Sequence, residues 1–178
     1  GSIQKLYAED TNLNIFQENK VNRALIDKDA IFTAEGQPLT ASGKIVIGQI
    51  TPYSGEYGIS DNPESFAVYG NRKYFVDRRR GAVLRLSRDG ITPISDAGMK
   101  DWFKDNLKVC NTIYGAYDEQ KGTYCITLEA QDTVNKPITN GMVFGNGNNI
   151  LNYATLCYSE RVKGWTSFYT YQNRHSVS

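Results

Sequence analysis

The sequence predicts a mainly β fold: antiparallel meanders forming β-propeller-like blades, with one short α-helix near residues 96–107. Three observations lead there. The chain carries 12 Tyr, 7 Phe and 2 Trp beside 16 Gly and many Asn and Thr, a composition that suits strands joined by tight turns. A frame with an acid followed four positions later by glycine recurs as Asp77–Gly81, Asp118–Gly122 and Glu160–Gly164. The steps between these acids are 41 and 42 residues, the period expected of blades with several short strands each.

The frame has a physical basis. A strand ends at the acid, whose carboxylate caps backbone N–H groups of the turn. The glycine then takes the left-handed conformation that returns the chain to a strand. What lies between, "RRR", "EQK" and "RVK", is expected to face solvent. A weaker fourth copy, "IFQENKVNRAL", sets Glu18 four residues before Asn22, asparagine being next best to glycine at positive φ. Its step of 59 residues to Asp77 requires an insertion, and "TAEGQPLTASG" around residues 33–43 reads as a loop.

Taken in order, residues 1–12 and 172–178 are expected to be flexible ends of a single domain spanning 1–178, itself a fragment of a longer chain. Ser65–Tyr69 reads as a strand, Gly70-Asn71 as a two-residue turn, and Lys73–Asp77 as the next strand. The arginine turn follows, then Ala82–Ser87, a turn at "RDG" and a last strand at Ile91–Ser95. Four strands in so short a stretch is the size of one blade. Ser95 or Asp96 can cap a helix whose Met99, Trp102, Phe103 and Leu107 share one face. That stripe is expected to pack on the protein's own sheet, with docking to a neighbouring subunit as the alternative. Thr112–Asp118 pairs with Thr123–Glu129, and Ala154–Ser159 with Trp165–Tyr171. The turn-rich stretch between them holds one short strand at Met142–Phe144. Isolated hairpins are marginal, so the sheets are expected to pack face to face or around an axis.

Composition also excludes. Lys plus Arg number 20 against 19 for Asp plus Glu, so the net charge of +1 gives no global attraction to nucleic acid or anionic membrane. No apolar run approaches the roughly 18 residues of a membrane span. Cys110, Cys125 and Cys157 are odd in number and form no CxxC pair, which argues against a disulfide framework or a zinc site, and the two in apolar strand-like runs read as reduced, buried thiols. The lone histidine, His175, lies in the polar tail, which leaves no Ser–His or Cys–His pair and no multi-histidine metal site. "GMVFGNGNN", with glycines at 141, 145 and 147, lacks the strand–loop–helix order and the Lys-Ser/Thr of a phosphate cradle. No catalytic residue, cofactor or metal is expected.

Two features keep binding readings open. Arg78, Arg79 and Arg80 sit in a meander with Arg72, Lys73, Arg85 and Arg88. They read as a solvated hairpin tip, as partners of an acidic neighbour across an interface, or as a contact for DNA. The turn "YSERVKGW" resembles the Asp-box of sialidase propellers, a structural bend remote from catalysis, and the tyrosines could stack sugars.

Residues 55–103, "GEYGISDNPESFAVYGNRKYFVDRRRGAVLRLSRDGITPISDAGMKDWF", resemble a segment of the tail nozzle or muzzle proteins of crAss-like bacteriophages. The hairpins "IYGAYDEQKGTYCITL" and "TLCYSERVKGWTSFYTY" are similar to those that follow in the same proteins, so the resemblance runs from about residue 13 to 171. It implies a non-enzymatic virion structural protein, a propeller-like part of the tail nozzle that lines or closes the DNA exit path. Its implied partners are other tail subunits, including copies of itself, with DNA passing non-specifically and no membrane involved. Its place would be the virion tail, after assembly in the bacterial host cytoplasm. The rival class is a glycan-binding or glycoside-processing propeller module.

Overall fold

The computed structural model describes residues 1–26, 47–130, 138–139, 150–151 and 153–169. Strands β1 (Ile3–Glu9), β2 (Asn12–Gln17), β3 (Val21–Ile26) and β4 (Ile47–Pro52) form the first antiparallel sheet, in that order. Strands β5 (Ala67–Tyr69), β6 (Arg72–Asp77), β7 (Ala82–Ser87) and β8 (Gly90–Pro93) form the second. The third orders β9 (Cys110–Asp118), β10 (Thr123–Ala130), β13 (Tyr153–Ser159) and β14 (Gly164–Tyr169) side by side. A small pair, β11 (Ile138–Thr139) and β12 (Ile150–Leu151), interrupts it in sequence. Each large sheet is thus a four-stranded up-and-down meander. Among the described residues these remain three separate sheets and close into neither a barrel nor a propeller.

The second sheet is the middle layer, because its strands are apolar on both faces. Tyr74, Val76 and Val83 point one way and join Ile113, Tyr124, Ile126 and Leu156 of the third sheet. Phe75, Leu84 and Leu86 point the other way and join Phe16 and Val21 of the first. Side chains alternate across a strand, so a run such as "KYFVD" supplies two cores at once. Phe75 and Tyr74 are fully buried, and truncating a residue of that size in a packed core costs about 3–5 kcal/mol.

Helix α1 (Lys100–Asn106) lies between 3₁₀ turns Ile94–Asp96 and Leu107–Val109. Phe103 and Leu107 are buried in the core shared with the third sheet, and Met99 and Trp102 pack against it. The helix is shorter than expected and starts differently. Met99 holds the N-cap position with no side-chain cap, while Ser95 and Asp96 belong to the preceding 3₁₀ turn.

Three further expectations are corrected. Ile3–Glu9, placed in a flexible end by sequence, is strand β1, paired along its length with β2. Asn22 does not take positive φ; it lies in β3 opposite Ile15. The cysteines are not all reduced: Cys125 and Cys157 face each other across β10 and β13 and form a disulfide, leaving Cys110 free and buried. The pairing arises because β13 lies beside β10, with Thr123 opposite Ser159, which brings the two cysteines into direct register. The loop at 33–43, the strand at Met142–Phe144, the glycines at 141, 145 and 147, His175 and the end 172–178 lie outside the described residues.

Candidate functional site: the arginine turn at the junction of three sheets

The arginine turn begins at Asp77, the last residue of β6. Its side chain is fully buried, and four donors surround it. Oδ2 accepts from the Gly58 N–H (3.0 Å) and from Arg80 Nη1 (3.1 Å); Oδ1 accepts from Ser60 Oγ (2.8 Å) and the Arg80 N–H (3.1 Å). A buried carboxylate is tolerable only with this kind of saturation. The donors come from two places. Arg80 belongs to the turn itself, whereas Gly58 and Ser60 belong to the segment that leaves the first sheet. That segment hydrogen-bonds the first sheet's own turn, through Ile59 N–H to Gln17 O (2.9 Å) and Ser60 N–H to Glu18 O (3.1 Å). The approach is so close that a Cβ on Gly58 would stand 2.3 Å from the Glu18 carbonyl oxygen.

The three arginines diverge. Arg78 donates from Nη1 to the Cys110 carbonyl of the third sheet (2.8 Å) and from Nη2 to Asp61 (3.0 Å). Arg79 reaches Glu18 Oε2 (3.2 Å) and Asn19 Oδ1 (3.4 Å) at the first sheet, while its N–H donates to Ser60 Oγ (3.2 Å). Arg80 returns to Asp77. The Ser2 hydroxyl, followed by Arg79, holds the Glu18 carboxyl below its usual range. Each guanidinium is therefore engaged inside the chain, a correction to the expectation that this stretch points freely to solvent. Arg79 keeps the greatest exposure, 47% of its side chain. Such half-exposed pairs contribute about 0–1 kcal/mol each, so their role is directional more than energetic.

Gly81 closes the turn at φ 68° and is buried against the helix, where a Cβ would come within 2.6 Å of the Lys104 Cα. In the second copy of the frame, Asp118 Oδ1 accepts from the Gln120 and Lys121 N–H groups (3.0 and 3.1 Å), and Gly122 has φ 65°. The third copy departs. Lys163, with φ 53°, takes the left-handed position that sequence assigned to Gly164. Glu160 sends its carboxylate away from the turn, accepting from Tyr74 Oη (2.8 Å) and Arg85 Nη1 (2.7 Å) of the second sheet. Nothing in the repeat marks that difference, although glutamate's extra methylene gives the reach.

Around Glu160 the second and third sheets meet through rings. Tyr69 stacks on Tyr117 (4.3 Å between centroids), Tyr117 on Tyr74 (5.6 Å) and Tyr74 on Tyr124 (4.8 Å). Tyr124 Oη donates to the Ser65 carbonyl (2.6 Å) and Trp165 Nε1 to the Ile94 carbonyl (3.1 Å). Burial raises the Tyr74 phenol well above its ordinary range, and its hydrogen bond to Glu160 raises it further. Burial does the same for Tyr124, and pushes the Cys110 thiol up to about 12. On the other side, Lys73 pairs with Glu9 across the first and second sheets, and Tyr53 Oη donates to Asn14 (2.8 Å).

The junction thus joins acids, arginines and hydroxyls to one another, and Arg80 also borders a cavity of about 330 Å³, beside Tyr57, Asp96, Lys100 and Lys104. Sequence reading singled out Asp77, Gly81 and the arginines but missed Gly58, Ser60, Asp61 and Tyr74, which meet them from distant parts of the chain. Among the described residues, no three His, Cys, Asp or Glu side chains group as metal ligands. A protein-family model described as "Crassvirus muzzle protein" matches residues 1–178. No curated protein matches the chain.

Proposed function

This chain belongs to the crassvirus muzzle protein family, and on that premise we propose that it is a propeller-like building unit of the phage tail nozzle, lining or closing the path by which DNA leaves the capsid. Muzzle proteins are virion structural proteins, and the chain is virion-associated as a member of that family. Among the described residues no helix is long and apolar enough to cross a membrane.

The observation that carries the reading is the run of three four-stranded meanders, stacked face to face in chain order. Consecutive meanders packed in this way are the building principle of propeller blades. The polar side chains at the junction are occupied in holding the sheets together, which suits a structural part with no catalytic activity. In this reading copies of the chain assemble with other tail subunits in the host cytoplasm. The acid of the Asp-box-like turn, Glu160, is held by Tyr74 and Arg85, so no feature of that turn favours the glycan-binding alternative.

Antibody labelling of purified virions, viewed by electron microscopy, tests the assignment. Label confined to the tail tip is the expected outcome; label absent from the tail, or found only on the capsid, would sink it.

A further inference from the structure

We propose that Cys125 and Cys157 form a thiol–disulfide exchange site: the chain folds with both thiols reduced in the host cytoplasm, and a low-molecular-weight disulfide closes the bond once the virion has left it. The timing rests on the host-cytoplasm assembly proposed above; the exchange chemistry rests on the site itself. Cytosolic thiols are kept reduced, whereas disulfides form and persist on virion surfaces.

The third sheet is held in register without the bond. Strands β10 and β13 pair at seven positions, from Thr123 opposite Ser159 to Glu129 opposite Tyr153. Tyr124, Ile126, Leu128, Leu156 and Tyr158 belong to the core shared with the second sheet. Side chains alternate across a strand, so Cys125 and Cys157 stand on the opposite, outer face. Backbone pairing and inner packing therefore set the two thiols directly opposite each other before any oxidation.

The outer face also admits a small co-reactant. Both cysteines border a cavity of about 790 Å³, a volume in the range of small-molecule clefts. Lys121 and Arg161 line it, together with Asp118 and Glu119. The two sulfurs differ in access, since Cys157 is 7% exposed and Cys125 is only partly buried. Thr123 Oγ1 lies 3.6 Å from Cys125 Sγ, placed to donate to a thiolate there. The thiolate is the form that attacks, so the incoming disulfide is met at Cys125.

Cys110 does not compete. It is fully buried, its Sγ donates to the Asn106 carbonyl (3.1 Å), and burial pushes its thiol up to about 12. Exchange therefore has one intramolecular product.

The reaction balances in two steps. The Cys125 thiolate attacks the small disulfide, forming a mixed disulfide and releasing one small thiolate. The Cys157 thiolate then attacks the Cys125 sulfur and expels the second. Two protein thiols are oxidised, one small disulfide is reduced to two thiols, and the two protons pass to those thiols.

The experiment takes the full 178-residue chain in reduced form and titrates it with mixtures of glutathione and glutathione disulfide. Samples are quenched in acid, unfolded, alkylated with a maleimide and weighed, which counts free thiols. Wild type is expected to pass reversibly from three labels to one, the last on Cys110. Near-UV circular dichroism is expected to show native packing in both forms, with a melting temperature about 5–15 °C higher when oxidised. C157S is expected to trap one glutathione on Cys125, and C125S to trap far less on the buried Cys157. A reduced chain without native packing would overturn the proposal, because the bond would then be a condition of folding. A bond that the native chain neither forms nor releases in any mixture would overturn it too, as would equal trapping by the two variants. The timing has its own readout: infected cells quenched in acid before lysis should yield three labels, and released virions one. A bond present before lysis, or missing from virions, would overturn that part. Tail labelling of virions reads the structural assignment separately, so failure here leaves that assignment standing.

Discussion

The turns at Asp77 and Asp118 share a frame and differ in what the frame is made to hold. At Asp118 the carboxylate closes its own turn and stops there, and a Cβ on Gly122 would meet nothing closer than the Tyr117 hydroxyl at 3.9 Å. At Asp77 the same closure is present, but the second oxygen and the glycine are recruited by the segment 58–60 and by the helix. One local motif thus serves as a plain hairpin in one sheet and as a keystone where three sheets meet. The difference lies in surroundings that no spacing rule encodes.

The largest break in this comparison is expected from the acids. Asp77→Ala removes the acceptor shared by two buried and two part-buried donors and should cost about 3–5 kcal/mol in urea unfolding. Asp118→Ala, read the same way, should cost only about 0.5–1.5 kcal/mol. Equal losses at the two sites would erase the distinction.

The glycines follow. Gly81→Ala meets both a strained φ and the Lys104 backbone, and a loss of about 1–3 kcal/mol, beyond that of Gly122→Ala, is expected in the same assay. The size of the gap isolates the helix contact, because both glycines have nearly the same φ.

Glu160→Gln tests the third copy. It keeps the shape but removes the charge opposite Arg85, and a loss of about 1–2 kcal/mol is expected. Substituting Gly164 with Ala should do less than either Gly81→Ala or Gly122→Ala, because Lys163 carries the left-handed residue there.

The ring-lined junction adds a pH dependence. Tyr74, Tyr117, Tyr124 and Tyr158 have pKa values raised above 10.0 in the folded chain, burial being the leading cause. Below pH 10 both states keep these protons and stability is unaffected. Above it the unfolded chain releases protons that the folded chain retains, so stability falls as pH rises. The melting temperature should hold to about pH 10 and then decline. A flat profile through pH 11 would contradict the assigned burial of the rings.

Much of the second sheet was legible because its instructions are local. "VYGNRKY", "DRRRG" and "SRDG" each place turn residues between short apolar runs, and Ala82–Ser87 forms over the range that alternation predicts. The helix stripe was legible for the same reason. Of the first sheet only the β2–β3 hairpin was, through "IFQENKVNRAL". Strand β1 mixes Gln, Lys and Glu with its apolar residues, and β4 is divided from β3 by twenty residues, so neither announces a partner. The disulfide escaped because it depends on β13 choosing β10 as its neighbour, a decision made over a sequence separation of 32. The arginine turn was half legible. Its acid and glycine follow from turn chemistry, whereas its contacts at residues 18, 58–61 and 110 exist only once three sheets have stacked.

The Cys125–Cys157 bond has a mechanical consequence. Tension applied between the start of β9 and the end of β14 would ordinarily peel the sheet one hydrogen-bonded strand at a time. With the sulfurs joined, the load passes from β10 to β13 through a covalent link, and the chain between them bears none of it. The 32-residue separation corresponds to about 110 Å of contour that cannot be drawn out. Under the same tension, the third sheet would lengthen far less oxidised than reduced.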